Sequence, residues 1–270
     1  MDKEILNMEE AAELFGVSIK TFIKLLKEEK VPARKIGREW RFSRKALIDW
    51  LSSGDSQAYS ASEGEAKEFF NKVAPEWEEI RKDYYDESIK NKIFELDILE
   101  PDMTVMDLGA GSGYISRTVA PHVKKVIAVD ISGQMLSELR KKAYEEGIGN
   151  IQTLENDGRD VAVPDSTADV VFASMYLHHI EEPLIAIKEI KRILKSGGRV
   201  FLADYNEHTD MELKEKMHDI WMGFRQEDIR EWFAGAGFKD IRIYVLDEHS
   251  KKQDSAGKPG TGVFIATAVK

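Results

Sequence analysis

The stretch VMDLGAGSGYIS, Val105–Ser116, decides the fold. An apolar run ends at Asp107, and three glycines follow at alternate positions, Gly109, Gly111 and Gly113, before a helical pattern resumes. Glycine there lets the chain turn sharply and lets a ligand approach main-chain N–H groups closely. Outward from this point, apolar runs alternate with helical patterns: TVMDLG, KVIAVD, IQTLEND, ADVVFAS and GRVFLAD, then IRIYVL and GVFIATAV. That alternation specifies an α/β fold, a mostly parallel, doubly wound sheet covered on both faces. The last two runs, joined by HSKKQDSAGKPGT, read as a closing antiparallel hairpin.

In such a sheet, ligands sit beyond the carboxyl ends of the strands. A dinucleotide fingerprint would place Gly or Ala where Tyr114 stands, and no Gly-Lys-Ser/Thr of a phosphate loop is present. Asp107 would repel a pyrophosphate but suits a cationic amino group. Asp130 ends the second strand, where a carboxylate can accept from ribose hydroxyls. Asp157, in ENDGRD, follows the third, within reach of an exocyclic adenine amine. Amine, ribose and adenine in succession describe a nucleoside joined to an amino acid. Each acid has an alternative as a solvated loop residue, and the three together at successive strand ends argue against it.

The ordered set VMDLGAGSGYIS, VIAVDISGQML, ENDGRD, DVVFASMYLHHIEEP and LKSGGRVFLADY resembles the motifs of class I S-adenosylmethionine-dependent methyltransferases over residues 65–270. The resemblance implies a seven-stranded sheet with its last strand antiparallel, S-adenosylmethionine as cofactor and S-adenosylhomocysteine as product. It places Asp107, Gly109, Ala110, Gly111 and Gly113 at the methionine part and Asp130 at the ribose. Ile131, Met135, Asp157 and Gly158 would surround the adenine, with Ser174 and Met175 near the sulfonium. The pattern is closest to the small-molecule, quinone-biosynthesis-like branch. No NPPY-like tetrapeptide follows the fourth strand, which counts against exocyclic-amine methylation, and the lack of cysteine excludes the covalent cytosine-C5 mechanism.

The stretch from Asp204 to Phe238 further resembles methyltransferase domains fused to small DNA-binding regulators, through Asp204, His208, His218, Gly223 and Phe224. Four of the six histidines, His178, His179, His208 and His218, follow the fourth and fifth strands. Catalytic roles are expected for His178, His179 and Tyr85, and substrate contacts for Asp204, His208 and His218. No resident metal is expected; the alternative is an ion held by His178, His208 and His218 with Asp204.

The 270 residues carry a net charge of −10, are 42% hydrophobic and include no run long enough to span a membrane. With no cysteine and no apolar leader, a soluble cytoplasmic protein is expected. Residues 1–54 hold eleven Lys/Arg against nine Asp/Glu, so a basic head precedes a body carrying −12. The division expected is a head at 1–52, a linker at 53–64, and a catalytic domain at 65–270 with a helical lid at 65–99. The head resembles excisionase- and MerR-like winged helix-turn-helix domains, its KIGREWRFSRKALIDWL ending above all. Ser18 reads as the cap of a helix buried through Ile19, Phe22, Ile23, Leu25 and Leu26. Ser18, Lys20, Thr21 and Lys24 would enter the major groove of double-stranded DNA, with Arg34, Lys35, Arg38 and Arg41 on phosphate or minor groove. A homodimer would supply the specificity that a single small module lacks. Three functions stay open at this point: a small-molecule methyltransferase with a regulatory head, a regulator that senses S-adenosylmethionine or another ligand without turnover, or a methyltransferase acting on DNA or a DNA-bound protein, against which the acidic body speaks.

Overall fold

A computed structural model describes residues 3–28, 31–37, 39–52, 56–246 and 261–270. Arg38, and the hairpin connection at 247–260 that contains His249, lie outside the described residues. The chain divides into two compact units, Met1–Ala61 and Ser62–Lys270.

The first unit runs β1 (Ile5–Leu6), α1 (Met8–Leu14), α2 (Ile19–Glu28), β2 (Arg34–Ile36), β3 (Glu39–Ser43) and α3 (Arg44–Ser52), with the three strands ordered β1-β3-β2. Each helix start is written locally. Asn7 accepts from the Glu10 N–H at 2.8 Å while the Glu10 carboxylate accepts from the Asn7 N–H at 2.9 Å, a reciprocal cap. Ser18 accepts from the Thr21 N–H at 3.1 Å, and Ser43 from the Ala46 N–H at 3.3 Å. Phe22, Phe42 and Leu47 are fully buried at the centre of this small core. Two residues expected on the buried side of α2 are not there: Ile19 and Ile23 are 43% and 37% exposed. A helix packed on only one narrow face buries Phe22 and partly Leu25 and Leu26, and the rotation that does so turns the other two outward. The segment expected as a linker is helical from Ser56, where α4 (Ser56–Val73) starts. Ser, Gln, Ala and Glu there carry no helix-breaking geometry, and the apolar segment that follows propagates the helix backwards.

The second unit continues with α5 (Trp77–Ile80), α6 (Ser88–Glu95), β4 (Thr104–Leu108), α7 (Tyr114–Val119), β5 (Lys125–Asp130), α8 (Gly133–Glu145), β6 (Ile151–Glu155), β7 (Ala168–Ser174), α9 (Pro183–Ile193), β8 (Leu194–Tyr205), α10 (Met211–Met217), α11 (Gln226–Gly235), β9 (Lys239–Leu246) and β10 (Val263–Val269). Its seven strands are ordered β6-β5-β4-β7-β8-β10-β9, parallel except for β10, which runs antiparallel to both neighbours. Successive side chains of a strand face opposite ways. Met106 and Leu108 therefore join the core under α9 and α11, while Val105 joins the core under α6 and α7. Asp107 alternates onto that second face, where Ser116 of α7 reaches it.

After β8 the chain folds back on itself. Phe224 donates its N–H to the Tyr205 carbonyl at 3.0 Å, and Asn206 bridges to Phe224. Gly223 makes this possible: its φ is +68°, and a Cβ there would lie 2.3 Å from the Asn206 carbonyl oxygen. The Gly-Phe pair singled out in the sequence is thus a backbone requirement. Gly223→Ala is expected to lower stability by at least about 1–3 kcal/mol from backbone strain alone, read as a shifted urea midpoint. An unchanged midpoint would mean that the Asn206 backbone moves aside freely.

Candidate functional site

The parallel strands bring Asp107, Asp130, Ser174 and Asp204 to one edge of the sheet. Asp130 is the connecting group. Its carboxylate accepts from the Gly111 N–H and from the Ser132 N–H, both at 2.8 Å. One side chain thereby fastens the glycine loop to the start of α8. Ser132 caps α8 by accepting from the Met135 N–H at 3.0 Å and donates to Asn71 of α4 at 2.7 Å. Met135 is buried, Ile131 half-buried, and Ala110 donates its N–H to the Val129 carbonyl at 3.0 Å.

The loop itself is bare for a reason of space. Gly109, Gly111 and Gly113 have φ of +69°, +52° and +92°, and a Cβ at Gly109 would lie 2.8 Å from the Tyr176 ring. Gly158, at φ +81°, meets the same residue, with a Cβ position 2.2 Å from the Tyr176 hydroxyl. Tyr176 donates to the Asp157 carbonyl at 3.3 Å, so its ring spans the connections after β4 and β6. Its role was not legible in the sequence. Above the loop, Trp77 lies against Gly111, and Ser112 donates to Glu78 at 2.7 Å. Glu78 also receives Arg81 at 3.0 Å and Arg117 at 2.8 Å. The segment expected as a lid is therefore pinned to the glycine loop by a polar network.

Burial sets the electrostatics. Asp107 is 1% exposed and accepts from Ser116 Oγ at 2.6 Å. Desolvation outweighs that bond and pushes its pKa up to about 7. Burial likewise raises Asp130 to about 6, against the two backbone bonds. Asp157 differs: partial burial is overcome by Arg159, whose main-chain N–H and guanidinium occupy both carboxylate oxygens at 2.8–3.0 Å and hold it below the usual range. The acid expected to meet an adenine amine is engaged by its own neighbour. These groups suit S-adenosylmethionine by donor chemistry: buried carboxylates for an ammonium and hydroxyls, and a loop without side chains. The Ser174 hydroxyl, buried and without a partner, and Met175 in the left-handed region at φ +53°, stand at the end of β7.

Beyond β7 and β8 a second group assembles around Asp204, which is fully buried. Its oxygens accept from the N–H groups of Leu177, His178 and Tyr205 at 2.9, 3.3 and 2.8 Å, and one of them pairs with His178 Nδ1 at 2.6 Å. His178 Nε2 faces Asp219 at 3.5 Å, and His179 Nδ1 faces the same Asp219 oxygen at 3.6 Å. Burial lowers the His178 pKa, but Asp204 and Asp219 outweigh it and raise the value. Burial beside His178 carries His179 well below the usual histidine range. Asp219 is 4% exposed, and neither of its carboxylate oxygens has a hydrogen-bond partner.

The four histidines do not converge as one set. His208 packs on Tyr205 with ring centres 5.7 Å apart, and His218 on Phe69 at 4.9 Å. The alternative metal trio of His178, His208 and His218 is corrected: the ligand atoms that come together are those of His178, His179 and Asp219. His218 instead ends α10 in the left-handed conformation, and that turn carries Asp219 inward. Phe70 stands over His179 at 5.2 Å and over Trp77 at 5.4 Å. Tyr85 is buried against Tyr114 at 5.4 Å, and burial raises its pKa.

In the first unit Ser18, Lys20, Thr21, Lys24, Arg34 and Lys35 are exposed, and Arg41 is half-buried. Ser18 and Thr21 hydroxyls share a hydrogen bond of 2.8 Å. Arg41 donates to the Trp40 carbonyl at 3.0 Å and pairs with Glu39.

Comparison with known proteins agrees with this fold. Residues 106–202 match the methyltransferase domain family, and residues 5–55 the helix-turn-helix domain family. The chain is 30% identical over 166 residues to the chloroplastic 2-methyl-6-phytyl-1,4-hydroquinone methyltransferase of Arabidopsis thaliana, covering 61% of this chain and 48% of that protein. It is 30% identical over 136 residues to a ubiquinone/menaquinone biosynthesis C-methyltransferase of Hydrogenovibrio crunogenus, covering 49% and 53%. The chain thus spans about half the length of these curated relatives. A solved S-adenosylmethionine-dependent methyltransferase from Aquifex aeolicus shares the fold, with a TM-score of 0.51 and 23% identity over 70% of this chain and 92% of that one.

Asp107 yields a stability prediction. Its folded-state pKa lies above the ordinary 3.8, so folding disfavours the ionised form. The stability it contributes is present below about 3.8 and is lost as pH rises toward 7. Asp107→Asn should therefore gain stability over the parent chain at pH 8 relative to pH 5, by an amount on the order of a few kcal/mol. Equal differences at the two pH values would place the carboxylate in water.

Proposed function

We propose, from a chain that joins a helix-turn-helix domain to a methyltransferase domain, that the protein transfers a methyl group from S-adenosylmethionine to a small-molecule acceptor. The head, in this reading, binds double-stranded DNA and regulates transcription. The observation that carries the first part is the glycine loop held by Asp130, with the buried Asp107 at its base. Asp107, Gly109, Ala110, Gly111 and Gly113 would hold the methionine part and Asp130 the ribose. Ile131, Met135, Asp157 and Gly158 would meet the adenine, with Ser174 and Met175 at the sulfonium. Bound there, the cofactor supplies an already activated methyl group, so the protein's task is alignment and exclusion of water.

The chain's own groups supply the rest. Phe69, Phe70 and Trp77 shield the strand ends. Asp204 accepts from Nδ1 of His178, which fixes the ring and turns Nε2 toward Asp219. His179, kept neutral by burial, lies beside it with ring centres 4.1 Å apart. His208 and His218 would contact the acceptor, Asp204, saturated by its own hydrogen bonds, would act only through His178, and Tyr85 would act from the lid. The quinol-type acceptors in the relatives' names support a small molecule with a weakly acidic hydroxyl or an activated ring carbon. A cytoplasmic location fits both halves of this reading.

The test is calorimetric titration of the full chain with S-adenosylmethionine, then assay of S-adenosylhomocysteine release with a panel of quinols, phenols and thiols. Asp107→Ala should abolish binding; retained micromolar affinity would overturn the site. Affinity should fall roughly tenfold per pH unit below 7, as the carboxylate that must be ionised to accept an ammonium becomes protonated. Replacing His178 and His179 together by Ala should spare cofactor binding while cutting turnover by about 100-fold or more. Binding without turnover on any acceptor would favour the sensor.

For the head, Ser18, Lys20, Thr21 and Lys24 on α2 would read the major groove, with Arg34, Lys35 and Arg41 on the backbone and a dimer spanning two half-sites. Arg38 belongs to that proposal by sequence alone. Lys20→Ala with Lys24→Ala should weaken DNA binding in fluorescence anisotropy and make its salt dependence shallower, by about one unit of slope for each phosphate no longer neutralised. An unchanged isotherm would remove α2 from the interface.

A further inference from the structure

We propose that His178, His179 and Asp219 form a zinc site with one coordination position left open. Among the described residues this is the one group of three such side chains whose ligand atoms all lie within 4.8 Å of one another. Two of its three ligand spacings are those of a tetrahedral site. An ion about 2.0–2.1 Å from each ligand sets ligand atoms about 3.4 Å apart. The observed separations to the shared Asp219 oxygen are 3.5 Å from His178 Nε2 and 3.6 Å from His179 Nδ1.

The polar accounting points the same way. Both Asp219 oxygens and His179 Nδ1 are buried without any hydrogen-bond partner. Leaving such groups unpaired costs about 1–3 kcal/mol each, more for a charge. A proton on His178 Nε2 would satisfy one Asp219 oxygen and leave His179 Nδ1 and the other oxygen as they are. One dication bound through a single Asp219 oxygen serves that carboxylate and both imidazoles. It also offsets two buried carboxylates, since Asp204 lies behind His178 at 2.6 Å. That bond completes a carboxylate–histidine–metal relay: Nδ1 donates to Asp204, which fixes the tautomer and turns the Nε2 lone pair toward the ion.

Local structure delivers the ligands. His178 and His179 sit on the short turn after β7, whose carbonyl at His178 receives the N–H groups of Ile220 and Trp221 at 3.1 and 3.0 Å. Those bonds dock the segment after α10 onto the turn and bring Asp219 opposite the two imidazoles. Two nitrogens and one oxygen suit zinc, and three protein ligands are the pattern of sites that bind an outside ligand. His178 and His179 follow Ser174 and Met175 on the chain leaving β7, so the open position would take an anionic atom of the acceptor, such as a phenolate oxygen or a thiolate sulfur. This last point rests on the methyl-transfer reading; the metal site does not.

The test uses the full-length, tag-free protein after chelator dialysis, titrated with zinc against a chromogenic chelator, and separately loaded with cobalt(II) for visible absorption. One zinc per chain, with tetrahedral cobalt bands, is expected. Asp219→Asn and His179→Gln should each remove the bands and weaken zinc binding by more than about 100-fold, whereas Asp204→Asn should weaken it by about 10–100-fold. His122→Ala, distant in sequence and packed on Phe94, should change nothing, and circular dichroism establishes that each variant is folded. Substoichiometric zinc in the parent chain, or equal affinity in the folded Asp219→Asn and His179→Gln variants, would overturn the site whatever the methyltransferase assay gives.

Discussion

One carboxylate organises the cleft. Asp130 accepts from Gly111 on one side and Ser132 on the other, so the connection after β4 and the start of α8 cannot move independently. Everything above it follows from that bond pair. Ser132, held in place, caps α8 and reaches Asn71. Gly111, held in place, receives Trp77, and Ser112 beside it receives Glu78. A parallel sheet buried on both faces has no room for polar groups along its strands, so they collect at the strand ends. There a single side chain with two acceptor oxygens fixes the geometry for several elements at once.

Asp204 plays the corresponding part at the next strand end. It is fully buried, yet it is saturated by three backbone donors and one imidazole. A buried charge is tolerable on those terms. Asp219 is the contrast: enclosed to nearly the same degree, and unpaired. The two acids flank the same histidine, one holding it by a fixed hydrogen bond and the other facing it with unsatisfied oxygens. That asymmetry gives His178 a defined tautomer and a direction, which a base or a ligand both need.

The two units divide charge as well as structure. The basic head exposes Lys20, Lys24, Arg34 and Lys35, while the acidic body encloses Asp107, Asp204 and Asp219 in low-dielectric surroundings. The exposed Ile19 and Ile23 on α2 show that its outward face is amphipathic rather than uniformly polar.

The sequence by itself determined the succession of strands, the bare loop and the carboxylates at Asp107 and Asp130, because these follow from local periodicity and from residue types with few alternative uses. It also determined the helix cap at Ser18, since a cap is a contact over three residues. What it could not show depends on residues far apart in the chain. Tyr176 filling the space beside Gly109 and Gly158, and Asp157 captured by Arg159 instead of left free, are decided by packing. Ile19 reads as buried by spacing and is exposed by the rotation of α2. The histidines read as one cluster by composition, but His208 and His218 each stack on an aromatic ring, and Asp219 joins the other two in their stead. Only the left-handed turn at His218 and the hydrogen bonds to the His178 carbonyl bring that aspartate to His178 and His179, and neither leaves a periodic trace in the sequence.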